Sequence, residues 1–152
     1  MYKNAIIGAV VCTVLGFLSA ILTGNFDVYG TLALPPFAPP AIVFPIVWTL
    51  LYILLGGSAG TIFGNMKQSR DKDRAVLLFV TMLIFNYLWT PLFFGLSAYF
   101  AALVDIAVMI ALSAWLLPYW AKNSRYGKWV LAGYLAWLVY AFYLNLGVLV
   151  LN

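Results

Sequence analysis

Five long apolar stretches constrain the fold of this chain more than any other feature. They occupy residues 5–22, 41–63, 75–94, 97–117 and 129–151, and each is 18 to 23 residues long. A helix of that length crosses a hydrocarbon core of about 30 Å, at 1.5 Å per residue. Only 8% of the residues are charged, against roughly 25% in soluble domains. We therefore predict an all-α membrane protein, with residues 1–152 forming one bundle of five transmembrane helices.

The basic residues predict how this bundle is oriented. All eight Lys and Arg residues lie before the first span, between the second and third, or between the fourth and fifth. With five spans these three regions share one face of the membrane, so the positive-inside rule places the N-terminus in the cytoplasm and the C-terminus outside. Such loops are typical of segments that set topology and touch anionic lipid. The expected partner is therefore the lipid bilayer and not a nucleic acid.

Missing residue types exclude several classes of site. The chain has no histidine, so it lacks the commonest general base and a common metal ligand. We predict no metal site and no required cofactor. The single cysteine, Cys12, lies in the first span and cannot form an intramolecular disulfide. Lys3 followed by an apolar run could mimic a signal peptide, but the run is longer than the usual h-region of about 7–15 residues.

A proline-rich segment leads into the second span. Residues 34–52 read LPPFAPPAIVFPIVWTLLY, with Trp48 and Tyr52 in the helical part. Proline fixes φ and suits the first position of a helix, so this segment indicates a rigid entry and not a broken helix. We predict that the loop at 24–40 forms a fixed lid over a tryptophan-lined pocket.

Other prolines and small residues predict how the helices end and pack. Pro91 should kink the end of the third span and open space near Trp89, and Pro118 should end the fourth helix. Small residues recur at steps of four in the first two spans, and these stripes favour close packing inside the bundle or a dimer face. The stripes consist of Gly8, Cys12, Gly16, Ala20 and Gly24, and of Gly56, Gly60 and Gly64.

Polar and aromatic residues inside the spans predict the depth of a site. By helical rise, Trp48, Asn86, Asp105 and Tyr143 lie about 10–14 Å below the outer face, and Trp137 lies about 21 Å down as a floor. Asp105 is the only acidic or basic side chain inside a span, so it should face the interior and find a donor. Asn86 is a candidate donor. Asp105 then either joins two helices by a hydrogen bond, or anchors a ligand or carries a proton.

Four sequence strings are similar to a known family. They are PPFAPPAIVFPIVWTLLY, FNYLWTPLFFG at 85–95, ALVDI around Asp105, and YLAWLVYAFYLN at 134–145. Together they resemble the TspO/MBR family in its bacterial form. This family comprises translocator proteins, also called tryptophan-rich sensory proteins or peripheral benzodiazepine receptors. The resemblance covers nearly the whole chain and has the same five-span layout.

This resemblance implies a ligand site in the outer half of the bundle, beneath the loop at 24–40. The family binds porphyrins, sterols and benzodiazepine-site ligands, often as a dimer, so a porphyrin is the expected ligand and a homodimer is possible. Trp48 and Trp137 match tryptophans implicated in light-dependent porphyrin breakdown. A bacterial cell membrane is the implied location. The family's ligand-site positions correspond to Pro39, Phe44, Trp48, Tyr52, Asn86, Trp89, Asp105, Trp137, Ala141 and Leu144.

The sequence departs from the family pattern in three places. Val28 stands where the family has tryptophan, and Leu34 and Phe37 replace a lysine and a tryptophan of the loop. The fifth span lacks the final basic residue of the cholesterol motif, which argues against a sterol as the physiological ligand.

Three functions are consistent with these features. The first is a membrane sensor or carrier that binds tetrapyrrole-like and other apolar molecules. The second is an enzyme that degrades porphyrin in light through Trp48 and Trp137. The third is a structural or regulatory membrane protein with an adventitious pocket. Because no acid–base or nucleophile constellation exists in the sequence, any chemistry would depend on excitation of the ligand.

Overall fold

The structure of the protein, a computed structural model, describes residues 2–24 and 26–152, so Asn25 of the predicted lid lies outside it. The five long helices are α1 (Tyr2–Thr23), α2 (Val43–Asn65), α3 (Arg70–Thr90), α4 (Tyr99–Asn123) and α5 (Arg125–Leu151). Each is long and apolar enough to cross a bilayer, with mean hydropathy from 1.8 to 2.5. The predicted all-α bundle of five membrane helices is confirmed.

The helices form a closed ring. Around it the order is α1, α2, α5, α4 and α3, with α3 returning to α1. Consecutive helices run in opposite directions, so the connections gather at two ends of the bundle. We call the end with residues 24–42, the α3–α4 link and the C-terminus the loop end. The other end carries the Lys and Arg residues, and we call it the basic end.

Glycines bring α1 and α2 into backbone contact. A Cβ on Gly8 would overlap the carbonyl oxygen of Gly56, and a Cβ on Gly56 would overlap that of Gly8. Gly60 faces the backbone of Asn4 in the same way. In lipid, where the hydrophobic drive between helices is absent, such close approach provides dispersion contacts that hold helices together. Gly8, Gly56 and Gly60 therefore serve packing inside the bundle, as one of the two interpretations predicted.

The fourth helix does not end at its proline. α4 continues through Pro118 to Asn123, so that prediction is wrong. A proline removes only one backbone donor, and the exposed carbonyls beyond it can be satisfied by side chains. The Asn123 amide donates to the Tyr119 carbonyl at 2.8 Å. Ser124 alone links α4 to α5 and caps α5 by accepting from the Gly127 amide at 3.0 Å.

At the loop end, α3 widens before the chain turns into α4. The segment Pro91–Gly95 forms a π turn, in which the Leu96 amide donates to the Pro91 carbonyl at 2.9 Å. The predicted distortion at Pro91 takes this form. The turn buries Phe93 and Phe94 beside the end of α3.

The proline-rich segment is fastened along α5. Residues 33–39, which we call the strap, follow the helix from its C-terminus inward over about 18 Å of helical rise. Most of the bonds use backbone groups of the strap and side chains of α5, so they do not depend on the strap's own side chains. The bonds run between Ala33 and Asn152 at 3.0 Å, from the Tyr143 hydroxyl to the Pro36 carbonyl at 2.8 Å, and from the Tyr140 hydroxyl to the Phe37 carbonyl at 2.8 Å.

We expect the basic end to face the cytoplasm, because all eight Lys and Arg residues lie there. Alkaline phosphatase needs disulfides and folds only outside the bacterial cytoplasm. A phosphatase fused after Asn152 should therefore be active in a bacterial host, and one fused after Asn65 should be inactive. The reverse pattern of activities would show that the bundle is inserted the other way.

Candidate functional site

A pocket of about 530 Å³ lies at the loop end between α1, α2 and the end of α3. This volume is within the range of roughly 300–1,000 Å³ that small-molecule sites occupy. α2 supplies Phe44, Trp48 and Tyr52, α3 supplies Trp89, and the loop supplies Tyr29. The pocket is therefore walled by aromatic rings from three elements.

Trp48 is the centre of these aromatic contacts. Its ring stacks on Tyr52 with centroids 5.7 Å apart and lies 6.2 Å from the ring of Trp89. Edge-to-face contacts at 6.5 Å join it to Tyr134 and to Trp137 of α5. Aromatic pairs at these separations are favourable beyond their burial. Contacts on two sides hold Trp48 in place while its remaining surface lines the pocket.

A buried hydrogen-bond network supports the deep wall of the pocket. The Tyr52 hydroxyl donates to Asn86 Oδ1 at 2.7 Å, and Asn86 Nδ2 donates to the Tyr134 hydroxyl at 2.7 Å. The network joins α2, α3 and α5. The prediction that Asn86 serves Asp105 is wrong, because two phenols from other helices occupy both ends of its amide.

Two predicted site residues behind this wall each have a buried polar atom with no hydrogen-bond partner among the described residues. Asp105 is only 4% exposed, and its Oδ2 has no hydrogen-bond partner among the described residues. The same is true of the indole nitrogen of Trp137. An unpaired buried polar group costs about 1–3 kcal/mol. Neither residue lines the pocket.

Trp137 is also not at the floor where helical rise places it. Its ring packs against Phe44, at the first turn of α2, with centroids 6.4 Å apart. The reason is that α5 is 27 residues long and extends past the start of α2 at the loop end, where the strap covers it. Depth counted from the end of α5 therefore overstates the depth of Trp137 in the pocket.

A second, much smaller cavity lies on the α5 side of Trp89. Its volume is about 20 Å³, and its walls include Ala141 and Leu144. Both cavities share the side chains of Tyr29, Phe44, Trp89 and Phe94. Trp89 is held between them by a hydrogen bond from its indole nitrogen to Asn145 Oδ1 at 3.2 Å. The predicted residues of α5 are thus separated from the larger pocket by rings.

The loop contributes in a different way from a simple lid. Tyr29 lies in a short 3-10 helix, Phe26–Thr31, and lines both cavities. Its hydroxyl donates to the Pro39 carbonyl at 2.8 Å, but Pro39, a predicted site residue, lines neither cavity. Burial, reinforced by nearby Tyr140, raises the pKa of the Tyr29 phenol, so the phenol keeps the proton it donates. Tyr29 thus forms part of the wall of both cavities, while the strap lies on α5 and lines only the smaller cavity, through Leu34, Pro35 and Ala38.

The α1 wall is the part of the site that sequence reasoning missed. Gly16, Phe17, Ala20 and Ile21 line the pocket. Gly16 and Ala20 belong to the stripe of small residues that was interpreted only as a packing surface. A Cβ on Gly16 would collide with the ring of Tyr52, a contact between helices that residue spacing along α1 does not reveal.

Comparison with known proteins agrees with this architecture. A sequence profile of the TspO/MBR family matches residues 8–151. The chain belongs to the TspO/MBR family. Among its TspO/MBR relatives is the tryptophan-rich protein TspO of Chlorobaculum tepidum, 32% identical over 143 residues, which cover 93% of this chain and 90% of the relative.

Eukaryotic TspO/MBR proteins are similar to this chain as well. The translocator protein homolog of Schizosaccharomyces pombe is 36% identical over 121 residues, covering 78% of this chain and 73% of the relative. The translocator protein of Bos taurus is 32% identical over 133 residues, covering 86% and 79%. The resemblance seen in the four sequence strings is confirmed, and this TspO/MBR protein is an integral membrane protein.

Proposed function

We propose that this protein binds a large, flat, apolar ligand of the porphyrin type in the α1–α2–α3 pocket, as a sensor or carrier in a bacterial cell membrane. The observation that supports this most is the wall formed by Trp48, which presents an indole to a cavity of about 530 Å³. Flat conjugated ligands stack favourably on such rings. Benzodiazepine-site ligands share this chemistry and would compete for the same wall.

The pocket offers few polar anchors. The Thr49 hydroxyl is already bonded to the Pro45 carbonyl at 2.7 Å. The Trp48 indole nitrogen and the Thr90 hydroxyl bond to no other residue of the described chain. An apolar pocket with one or two free donors is typical of sites in which shape gives most of the affinity and polar groups fix orientation.

The smaller cavity suggests how a bulky ligand would reach α5. Phe44 and Trp89 separate the two cavities. A ligand that displaces these rings would join the cavities and contact Ala141 and Leu144. This movement would bring the ligand to two of the α5 positions that the family resemblance implies.

Porphyrin binding can be tested by filling the pocket. Ala20 is half-buried in the pocket wall, so Ala20→Phe places a ring where the ligand lies. We expect the affinity for protoporphyrin IX, measured in the dark from the shift of its main absorption band, to fall at least tenfold. The matched control is Leu18→Phe, on the exposed side of α1, which should bind normally. Equal affinities for both variants, or no binding by the unaltered protein, would contradict the proposal.

A light-dependent enzyme is a second candidate, favoured by the contact between Trp48 and Trp137. Their rings lie 6.5 Å apart, so the second indole can return an electron to the first. The step would transfer one electron from Trp48 to excited porphyrin, leaving an indole radical cation and a porphyrin radical anion; loss of the porphyrin then requires dissolved dioxygen as the oxidant that opens its ring. Under illumination, Trp48→Phe should then slow porphyrin loss at equal occupancy. Equal rates of porphyrin loss for the unaltered protein and Trp48→Phe would show that the protein binds porphyrin without degrading it.

A further inference from the structure

The larger pocket opens sideways between α1 and α2. Its rim is made of exposed apolar side chains: Phe17 is 48% exposed, Ile21 is 71% exposed and Ile42 is 65% exposed. Its back wall is buried and includes Tyr52 and Trp89. Phe17 lies about 9 Å inside the end of α1 by helical rise. The mouth is therefore at a depth where its surroundings are hydrocarbon and not water.

The surface around the mouth is continuous with the lipid-facing surface of the bundle. Val14 and Leu18 on α1 are exposed by 50% and 47%, and Ile46 and Leu50 on α2 by 61% and 55%. In an integral membrane protein such faces contact acyl chains. None of the described side chains that line the pocket is charged.

The strap does not close this mouth. It lies along α5, on the opposite side of α2 from α1, and is held there by the Tyr140 and Tyr143 hydroxyls. A molecule moving between the bilayer and the pocket through the α1–α2 mouth therefore does not need the strap to open.

We propose that an acyl chain of a bilayer lipid enters the pocket between α1 and α2 and occupies it when no other ligand is bound. An empty cavity of about 530 Å³ would leave its aromatic walls without the dispersion contacts of a filled one. Water gains little there because apolar cavities offer too few hydrogen-bond partners. The acyl chain supplies the missing contacts and remains in a hydrocarbon environment. Any other ligand must displace it and enters from the bilayer. This proposal depends on the pocket's geometry and not on porphyrin as the ligand.

Contact quenching of tryptophan by brominated lipid tests this proposal. Three proteins each keep one tryptophan, the others being replaced by phenylalanine, and are reconstituted in phosphatidylcholine brominated in its acyl chains. Trp115 is 66% exposed, Trp120 is fully buried, and Trp89 is 6% exposed but lines the pocket. We expect Trp115 to be quenched and Trp120 to be protected. The fractional loss of fluorescence at Trp89 should be at least half of the fractional loss at Trp115. Protection of Trp89 equal to that of Trp120 would overturn the proposal.

A pocket-filling variant shows whether the acyl chain reaches Trp89 through the α1–α2 mouth. Ala20→Phe in the protein that keeps only Trp89 should restore most of its fluorescence, and Leu18→Phe should not. If replacing several tryptophans prevents folding, the same two substitutions are made in the protein that keeps all six tryptophans. Only Ala20→Phe should then reduce the total quenching. Undiminished quenching in Ala20→Phe would contradict entry by this route. If Trp89 is quenched but protoporphyrin IX does not bind, only the porphyrin proposal fails.

Discussion

Gly56→Ala should lower the free energy of unfolding by about 2–3 kcal/mol, the cost of adding atoms to a closely packed contact. The added methyl group would overlap the carbonyl oxygen of Gly8. That oxygen belongs to a helix backbone and cannot rotate away as a side chain can, so α1 and α2 must separate. Unfolding in mixed micelles of increasing SDS content, followed by circular dichroism, measures the loss.

The matched control is the next residue of the same helix. A Cβ on Gly57 would lie 3.7 Å from the Ala5 carbonyl oxygen, an ordinary van der Waals distance. Gly57→Ala should therefore be neutral or stabilise the helix by up to about 1 kcal/mol, because alanine loses less conformational entropy than glycine. If both variants changed stability equally, α1 and α2 would not be in the backbone contact described above.

Asn86→Leu should be the second strongly destabilising change, by about 1–3 kcal/mol, the cost of leaving one buried polar group unpaired. The substitution keeps side-chain volume but removes the acceptor of the Tyr52 hydroxyl, 2.7 Å away. The Tyr134 hydroxyl loses the Asn86 donor and keeps its contact with Met109 Sδ at 3.6 Å. Affinity for protoporphyrin IX in the folded fraction should change little, because Asn86 lies behind Tyr52 and does not line the pocket.

Asp105 provides the comparison for Asn86. Its buried Oδ2 has no partner among the described residues, so Asp105→Leu removes an unpaired polar group and should not destabilise the protein. Unfolding and porphyrin affinity measured in parallel for both variants separate structural from ligand-binding roles. A loss of affinity without a loss of stability in Asn86→Leu would show that the amide bonds to ligand instead of to the two phenols.

The parts of the structure that sequence could predict are those determined by local periodicity. Span length gives the five helices. Spacing along one helix places Trp48 beside Tyr52 and puts Asn86 on the same face as Trp89. The aromatic wall of the pocket follows from these pairs, and Trp48, Tyr52 and Trp89 do line it together.

Contacts between helices could not be predicted in the same way. The rotation of each helix about its axis and its sliding along its neighbour are set by packing, and neither is encoded in residue spacing. For this reason the partners of Asn86 come from α2 and α5 instead of α4. Trp137 lies beside Phe44 instead of at the floor for the same reason, and the α1 wall was missed.

The way the strap is attached makes it a natural place for a reporter group. Tyr140 and Tyr143 hold the Phe37 and Pro36 carbonyls, and every residue type carries a carbonyl. The Phe37 side chain itself is 90% exposed. A cysteine at this position, coupled to a fluorophore, would follow events at the loop end from a side chain that takes no part in the attachment. The only native thiol, Cys12, is buried in α1, so labelling would be selective without removing it.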